Sequence, residues 1–131
     1  LSFFFLNSMS TFAAVLGSDQ AVTETAVYVQ SLSGMKVDPA LAAAGKPRFE
    51  GVCAACHGVE GKGNEMLGAP NLSDGAWLYG SDLASIREGI VNGRNGMMPP
   101  HEPIIGLDRA RPVSAYVYSL SQGQGTQPSE R

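Results

Sequence analysis

Two thiols and an imidazole stand within five consecutive residues, Cys53-Ala54-Ala55-Cys56-His57. Cysteines spaced by two residues and followed at once by histidine form the attachment signature of a c-type haem. On a helical turn, this spacing lets each sulfur bond one vinyl-derived carbon of the porphyrin while His57 coordinates the iron from one face. The chain has two cysteines in all, and the signature uses both. The pattern therefore predicts one covalently bound haem c.

Cys53 and Cys56 have two alternative interpretations. A thioredoxin-like redox pair would need a βαβ pattern around it, and no alternating strand signal lies nearby. A zinc site would need four ligands, but the two histidines, His57 and His101, lack finger-like spacing to the cysteines. The residues favour haem over both alternatives.

A second axial ligand is predicted in the segment Met97-Met98-Pro99-Pro100. A thioether on a proline-stiffened loop reaches the iron with little entropy to lose, and methionine opposite histidine raises the reduction potential. Met98, beside the proline, is the first choice and Met97 the fallback. His101 is the other alternative and would give bis-histidine ligation. The predicted metal ligands are thus His57 and Met98.

Three further residues are candidate haem contacts. The carbonyl of Pro70 could accept the Nδ1 hydrogen of His57 and fix the ring. Trp77 could pack on the haem edge and donate its indole N–H to a propionate, or it could be an ordinary core residue. Arg94 could pair with a propionate, or it could be a solvated loop arginine.

Composition and charge narrow the class of protein. The chain has 131 residues and a formal charge of −3. This acidic balance argues against binding to nucleic acid or to an anionic membrane surface, because both would need clustered Lys and Arg. Abundant alanine and glycine with few β-branched runs favour short helices joined by glycine-rich loops. A domain of about 80 residues buries a marginal core by itself. We therefore expect an all-α fold whose short helices wrap around the haem.

The chain repeats part of its own sequence. Gly17 and Asp19 match Gly106 and Asp108 at an offset of 89, and Tyr28, Val29, Ser31, Leu32 and Ser33 recur at an offset of 88. Met9 precedes the first block as Met98 precedes the second. Any two amphipathic helices share a few letters, but these matches keep their order across two blocks. We interpret residues 1–34 as the C-terminal remnant of a first cytochrome-like domain whose own Cys-x-x-Cys-His lies outside this sequence.

The remaining boundaries follow from this interpretation. Residues 35–44 are predicted to be a linker, 45–121 the haem domain and 122–131 a flexible polar tail. A helix is predicted over Asp19 to Leu32. Asp38-Pro39 could start another helix, but Gly45 and Pro47 interrupt the helical stretch that would follow. We expect the helix that delivers the cysteines to begin near Gly45.

Two more helices are predicted in the second half. The first is capped by Ser81, buries Leu83, Ile86 and Ile90, and stops at Gly93. The last runs from Asp108 to Ser121 with Pro112 in its first turn. Its inward-facing residues are predicted to be Val113, Tyr116, Val117 and Leu120.

Several motifs together carry a resemblance to a known family. They are Cys53-Ala54-Ala55-Cys56-His57-Gly58, Gly61-Lys62-Gly63-Asn64, Gly68-Ala69-Pro70-Asn71-Leu72, Trp77-Leu78-Tyr79-Gly80, Gly93-Arg94-Asn95-Gly96 and Met98-Pro99. From about Met9 to Ser121 the chain resembles the second haem domain, with the tail of the first, of the dihaem subunit III of cbb3-type cytochrome c oxidase. One departure is Ser10, which follows Met9 where the family has proline.

The resemblance implies a class I cytochrome c fold and a role in the respiratory chain. It implies two haem domains on the periplasmic face of the bacterial inner membrane, hence a second haem in the full-length parent. An export signal or membrane anchor is expected upstream of Leu1. The implied partners are the other oxidase subunits and a donor cytochrome c, with no nucleic acid. Electrons would pass to the haem-copper subunit that reduces oxygen in aerobic and microaerobic respiration.

Three functions stay open from the residues alone. The first is a one-electron relay, an electron-transport component from which no catalysis is expected by itself. The second is a soluble class I cytochrome c that serves a periplasmic dehydrogenase. The third is a ligand-binding haem sensor or peroxidase domain with an open iron position, for which His101 and Glu102 are the nearby distal candidates. Rapid, stoichiometric carbon monoxide binding would favour the third.

Overall fold

The structure is a computed structural model that describes residues 8–96, 99–120 and 122. Helices dominate these residues, and the chain divides after Gly96 into two compact units. The α-helices are α1 (Ala13–Leu16), α2 (Asp19–Leu32), α3 (Pro39–Arg48), α4 (Ala54–His57), α5 (Leu83–Asn92), α6 (Glu102–Ile105) and α7 (Leu107–Ser119). A π-helical turn (Phe49–Cys53), a 3₁₀ turn (Glu65–Leu67) and the short strands β1 (Ser8–Met9) and β2 (Arg94–Asn95) complete the set. Across the described ranges, no helix combines the length and apolar character that a membrane span needs.

Helix α2 has the bounds that the sequence predicts. Its N-cap is Ser18, whose hydroxyl accepts the N–H of Ala21 at 3.1 Å. This bond satisfies one of the donors that a helix leaves free in its first turn. One face of α2 is buried, and Val22, Ala26 and Val29 enter the core from it.

Helix α3 begins at Pro39, six residues before the predicted start near Gly45, which was wrong. The Asp38 carboxylate accepts the N–H of Ala40 at 2.8 Å and that of Leu41 at 3.3 Å. Pro39 at the first helical position has no N–H to leave unsatisfied. This cap and the proline fix the start of the helix.

Gly45 and Pro47 do not interrupt α3, because packing outweighs their low helix propensity. Gly45 is buried, and a Cβ atom at this position would lie 2.0 Å from the carbonyl oxygen of Glu24 in α2. Gly45 therefore lets the backbones of α2 and α3 approach closely. After Arg48 the helix continues into the π-helical turn, a feature that is frequent at functional sites.

The core of the first unit joins α2, the π-helical turn and α5. It consists of Val22, Ala26, Val29, Phe49, Ile86 and Ile90. Phe49 is fully buried, and its ring centre lies 5.3 Å from that of Tyr28 in a tilted arrangement. This aromatic contact ties α2 to the turn that carries Cys53.

Ion pairs also join α2 to its neighbours. Glu24 is buried, and its Oε2 lies 2.6 Å from Nη1 of Arg48 in α3. Arg87 of α5 donates to Asp19 and to Thr23. Helix α2 is thus held by specific polar contacts as well as by apolar packing.

Helix α5 buries Ile86 and Ile90 and ends at Gly93, as predicted. The predicted cap at Ser81 was wrong. Asp82 is the N-cap, and its carboxylate accepts the N–H of Ser85 at 2.9 Å. A carboxylate at this position adds a favourable charge near the helix N-terminus, which a serine cannot supply.

Helix α7 forms close to its predicted bounds, but the prediction that its apolar face turns inward was wrong. The exposed fractions are 52% for Val113, 64% for Tyr116, 58% for Val117 and 45% for Leu120. Helix α7 belongs to the second unit, and within the first unit α3 packs against α2. The predicted domain boundaries at residues 34, 44 and 121 stay predictions.

Candidate haem site

An apolar cavity of about 330 Å³ lies in the first unit. Four core residues, Val29, Phe49, Ile86 and Ile90, form part of its wall. The volume is within the range of small-molecule and cofactor sites. The cavity therefore adjoins the hydrophobic core. A planar apolar group bound in the cavity would extend that core.

The residues of the haem signature lie together in this wall. The π-helical turn ends at Cys53, and α4 carries Cys56 and His57. Cys53 is half-buried and Cys56 exposed, while His57 is only 8% exposed. Cys53, Cys56 and His57 thus line one cavity.

The His57 ring is held in one orientation. Its Nδ1 lies 3.0 Å from the carbonyl oxygen of Pro70, which can only accept a hydrogen bond. Nδ1 therefore carries the hydrogen, and Nε2 keeps its lone pair for a metal ion. The backbone nearby is fixed as well, because the N–H of Gly63 donates to the carbonyl of His57 at 2.8 Å.

The two thiols differ in their surroundings. Burial raises the pKa of Cys53 from 9.0 to about 11, and the neighbouring Cys56 adds to the shift because a second thiolate would repel the first. Cys53 is consequently a neutral thiol near neutral pH. Thiols that react as exposed nucleophiles usually have a lowered pKa instead.

Trp77 and Arg94 reach the same cavity from other segments. The Nε1 atom of Trp77 is buried and has no hydrogen-bond partner among the described residues. Leaving such a donor unpaired costs about 1–3 kcal/mol. Arg94 donates from Nη2 to the carbonyl of Ser85 at 2.8 Å, and its guanidinium lies 4.6 Å from the ring centre of Tyr79.

These features fit a haem. The apolar wall suits the porphyrin, the two thiols and the oriented imidazole suit attachment and iron ligation, and the unpaired indole N–H suits an acidic substituent at the edge. Met98 and its fallback Met97 lie outside the described residues. His101 and Glu102 belong to the second unit.

Sequence reasoning missed one part of the wall. Met9, Ser10 and Phe12 line the cavity, although the sequence predicts that their segment belongs to another domain. The internal repeat was the signal that could have found them, because it places Met9 in the same relation to α2 as Met98 to α7.

The fold and this site together define a cytochrome c-type domain, in which short helices surround a covalently bound haem c. The family model described as cytochrome c oxidase, cbb3-type, subunit III matches residues 40–117. The chain belongs to this family. The predicted all-α class I cytochrome c fold, the haem c cofactor and the resemblance stated above are thereby confirmed.

Individual relatives agree with the family match. The chain is 42% identical over 118 residues to the cbb3-type cytochrome c oxidase subunit FixP of Azorhizobium caulinodans, covering 89% of this chain and 40% of the relative. It is 46% identical over 111 residues to FixP of Bradyrhizobium diazoefficiens, covering 84% and 38%. It is 41% identical over 110 residues to the subunit CcoP of Rhodobacter capsulatus, covering 79% and 37%. The chain thus spans about 40% of the length of the curated relatives it matches.

Proposed function

We propose that this domain relays single electrons toward the oxygen-reducing subunit of a cbb3-type oxidase in aerobic and microaerobic respiration. One observation carries the proposal: His57, oriented by the Pro70 carbonyl, lines an apolar cavity together with both signature cysteines. Membership of the subunit III family supports the direction of transfer. Neither a soluble cytochrome for a dehydrogenase nor a haem sensor finds support in the comparisons.

Each site residue has a distinct part. When bound, the haem supplies an iron that changes its oxidation state by one electron. Cys53 and Cys56 fix the porphyrin through thioether bonds, and His57 offers Nε2 to the metal. The apolar wall keeps water away, which limits the reorganisation that accompanies a change of charge.

The acidic edge of the cofactor is assigned to Trp77 and Arg94. A propionate oxygen would accept the Trp77 N–H that has no partner among the described residues. Arg94 uses one donor on the Ser85 carbonyl, and a guanidinium has five N–H groups in total. Its remaining donors and its charge suit a second propionate contact.

A methionine thioether completes the iron coordination in this proposal. The sequence predicts Met98, with Met97 as the fallback. Two protein ligands would close the iron to substrates, so this chain alone would shuttle electrons without bond chemistry.

The wider context of the full-length protein is part of the proposal. The relatives are subunits of a bacterial oxidase, and we place this domain on the periplasmic face of the inner membrane beside the other subunits, with a donor cytochrome c. The parent would carry a membrane anchor and a second haem. Residues 1–34 would be the end of that first haem domain, as the internal repeat indicates.

The proposal is tested on protein produced in a host that attaches c-type haem. The pigment should stay with the polypeptide in acidified organic solvent, and the double variant Cys53→Ala/Cys56→Ala should release it. The reduced protein should bind carbon monoxide slowly or not at all, and oxygen should reoxidise it quickly only when a cbb3-type oxidase is added. Extractable pigment in the unmodified protein, or rapid stoichiometric carbon monoxide binding, would contradict the relay.

A further inference from the structure

We propose that Tyr79 is a positioning residue: its ring holds the guanidinium of Arg94 on the cavity wall, where the fixed cation raises the reduction potential of the haem iron. The inference deepens the proposed function and rests on it, because it takes a haem at Cys53, Cys56 and His57 as given. It gives a role to an aromatic side chain that the proposed function leaves unused.

The first observation is that the end of the Arg94 side chain is held by two contacts. Its guanidinium carbon lies 4.6 Å from the ring centre of Tyr79. Within about 6 Å, the electron-rich face of an aromatic ring attracts a cation. The Nη2 atom of Arg94 also donates to the carbonyl of Ser85 in α5 at 2.8 Å. The two contacts come from different segments, so together they select one conformation of a long and flexible side chain.

The second observation is that Gly89 leaves a path for the Arg94 side chain. Gly89 is buried and lies one helical turn after Ser85 on the same face of α5. A Cβ atom added at Gly89 would lie 3.3 Å from Nε of Arg94 and 3.8 Å from its Cγ. The Arg94 side chain therefore runs back along α5, over Gly89 and toward the carbonyl of Ser85.

The third observation is that the backbone beside Tyr79 lies against the start of α5. Gly80 has φ +100°, a conformation that favours glycine, and a Cβ added there would lie 2.9 Å from Oγ of Ser85. The N-cap Asp82 fixes Ser85 in turn, because its carboxylate accepts the Ser85 N–H at 2.9 Å and the Ser85 hydroxyl at 2.6 Å. This arrangement lies entirely between Tyr79 and Arg94, inside the range 40–117 that the family model matches.

The charge of Arg94 is available to the haem. Among the residues that the structure describes, no carboxylate forms an ion pair with Arg94. Arg94 and the residues that hold it line the same cavity as His57. Oxidation adds a positive charge to the iron, and a fixed cation nearby opposes that change because like charges repel. A guanidinium that moves into water acts less strongly, since the solvent screens it. The held conformation of Arg94 therefore favours the reduced haem.

The test is a double-mutant cycle on the haem-loaded protein. The reduction potentials of Tyr79→Leu, Arg94→Gln and the double variant are measured by spectroelectrochemical titration at fixed pH and ionic strength. Tyr79→Phe is the matched control, because it keeps the ring and removes only the hydroxyl. Tyr79 is 45% exposed, so these replacements leave the core of the first unit in place. A cation–π contact at such a ring favours the held conformation about two- to fivefold.

Arg94→Gln should lower the reduction potential, and Tyr79→Leu should lower it by a smaller shift, because the Ser85 carbonyl still holds part of the Arg94 population. Tyr79→Phe should keep the potential of the unmodified protein. In the Arg94→Gln background, Tyr79→Leu should add no further shift, since it acts only through Arg94. Additive shifts, an unchanged or raised potential in Tyr79→Leu or in Arg94→Gln, or equal shifts in Tyr79→Phe and Tyr79→Leu would overturn the inference. A failed proposed function looks different, because the unmodified protein would then release its pigment or bind carbon monoxide rapidly.

Discussion

Replacing Gly45 with alanine should destabilise the haem domain by forcing α2 away from α3. A Cβ at residue 45 would lie 2.0 Å from the carbonyl oxygen of Glu24, and the neighbouring carbon and the N–H of Thr25 would also be within 3 Å. All three atoms are backbone, so no side chain can rotate aside. The helices would have to separate by about 1.4 Å for the oxygen to reach ordinary contact distance.

The magnitude follows from two opposing effects. Alanine is favoured over glycine in a helix interior by about 1 kcal/mol. Against this, overpacking costs about 1–3 kcal/mol, and a gap of about 1 Å forfeits up to half of the dispersion energy across an interface. Helix α2, which packs on α3, also contributes Val22 and Ala26 to the core. We expect a net loss of about 2–3 kcal/mol in the free energy of unfolding.

The assay is guanidinium unfolding of the haem-loaded protein, followed by far-ultraviolet circular dichroism. The matched control is Gly51→Ala, because a Cβ at Gly51 meets no atom within 4 Å. That variant should be neutral or stabilised by up to about 1 kcal/mol. If Gly45→Ala were as stable as Gly51→Ala, the close helix crossing would not limit stability and the argument would fail.

Three more outcomes follow from the structure. Glu24→Gln should lose about 1–2 kcal/mol of unfolding free energy, because the charge-assisted hydrogen bond between the buried Glu24 and Arg48 becomes a weaker one to a neutral amide. Asp19→Asn, at an exposed pair, should lose less than about 1 kcal/mol. Equal losses would refute the difference. Trp77→Phe should raise the pKa of a haem propionate, because the lost indole N–H stabilised the ionised propionate. The pH-dependent part of the reduction potential would then move to higher pH. An unchanged dependence of the potential on pH would count against a hydrogen bond from Trp77 to the propionate. In haem-free protein, burial holds the pKa of Cys53 at about 11, so about one Cys53 thiol in a thousand is ionised at pH 8. The alkylation rate of Cys53 should therefore rise about tenfold per pH unit up to about pH 11. A plateau of the rate near pH 9 would contradict this prediction.

Local chemistry made much of the fold and site predictable. The spacing of Cys53, Cys56 and His57 indicated the haem, and apolar periodicity with a terminal glycine placed α5. Helix α2 was predicted with its exact bounds. The Pro70 carbonyl was a candidate partner for His57, and the structure has those atoms 3.0 Å apart. Each of these features depends on residues that are close in sequence or on one fixed motif.

The errors came from contacts between distant segments. The sequence predicts an interruption at Gly45, because the low helix propensity of glycine is visible in the sequence while its contact with Glu24 in α2 is not. The apolar stripe of α7 correctly indicated a helix, but periodicity does not identify the partner of an apolar face. Met9 was missed for the same reason, since its place in the cavity depends on the pairing of β1 with β2.

The repeat also shows which polar residue distinguishes its two copies. Because the offset changes from 89 to 88 between Asp19 and Tyr28, Glu24 aligns with either Pro112 or Val113. Neither of these residues can form the ion pair that Glu24 makes with Arg48. The buried member of the pair is Glu24 of α2, while the side chain of Arg48 on α3 is 39% exposed. A helix without a carboxylate at this position would lose the pair even where its apolar residues match. The pair with Arg48 therefore distinguishes α2 from the second copy of the repeat by a polar contact that the shared apolar residues do not supply.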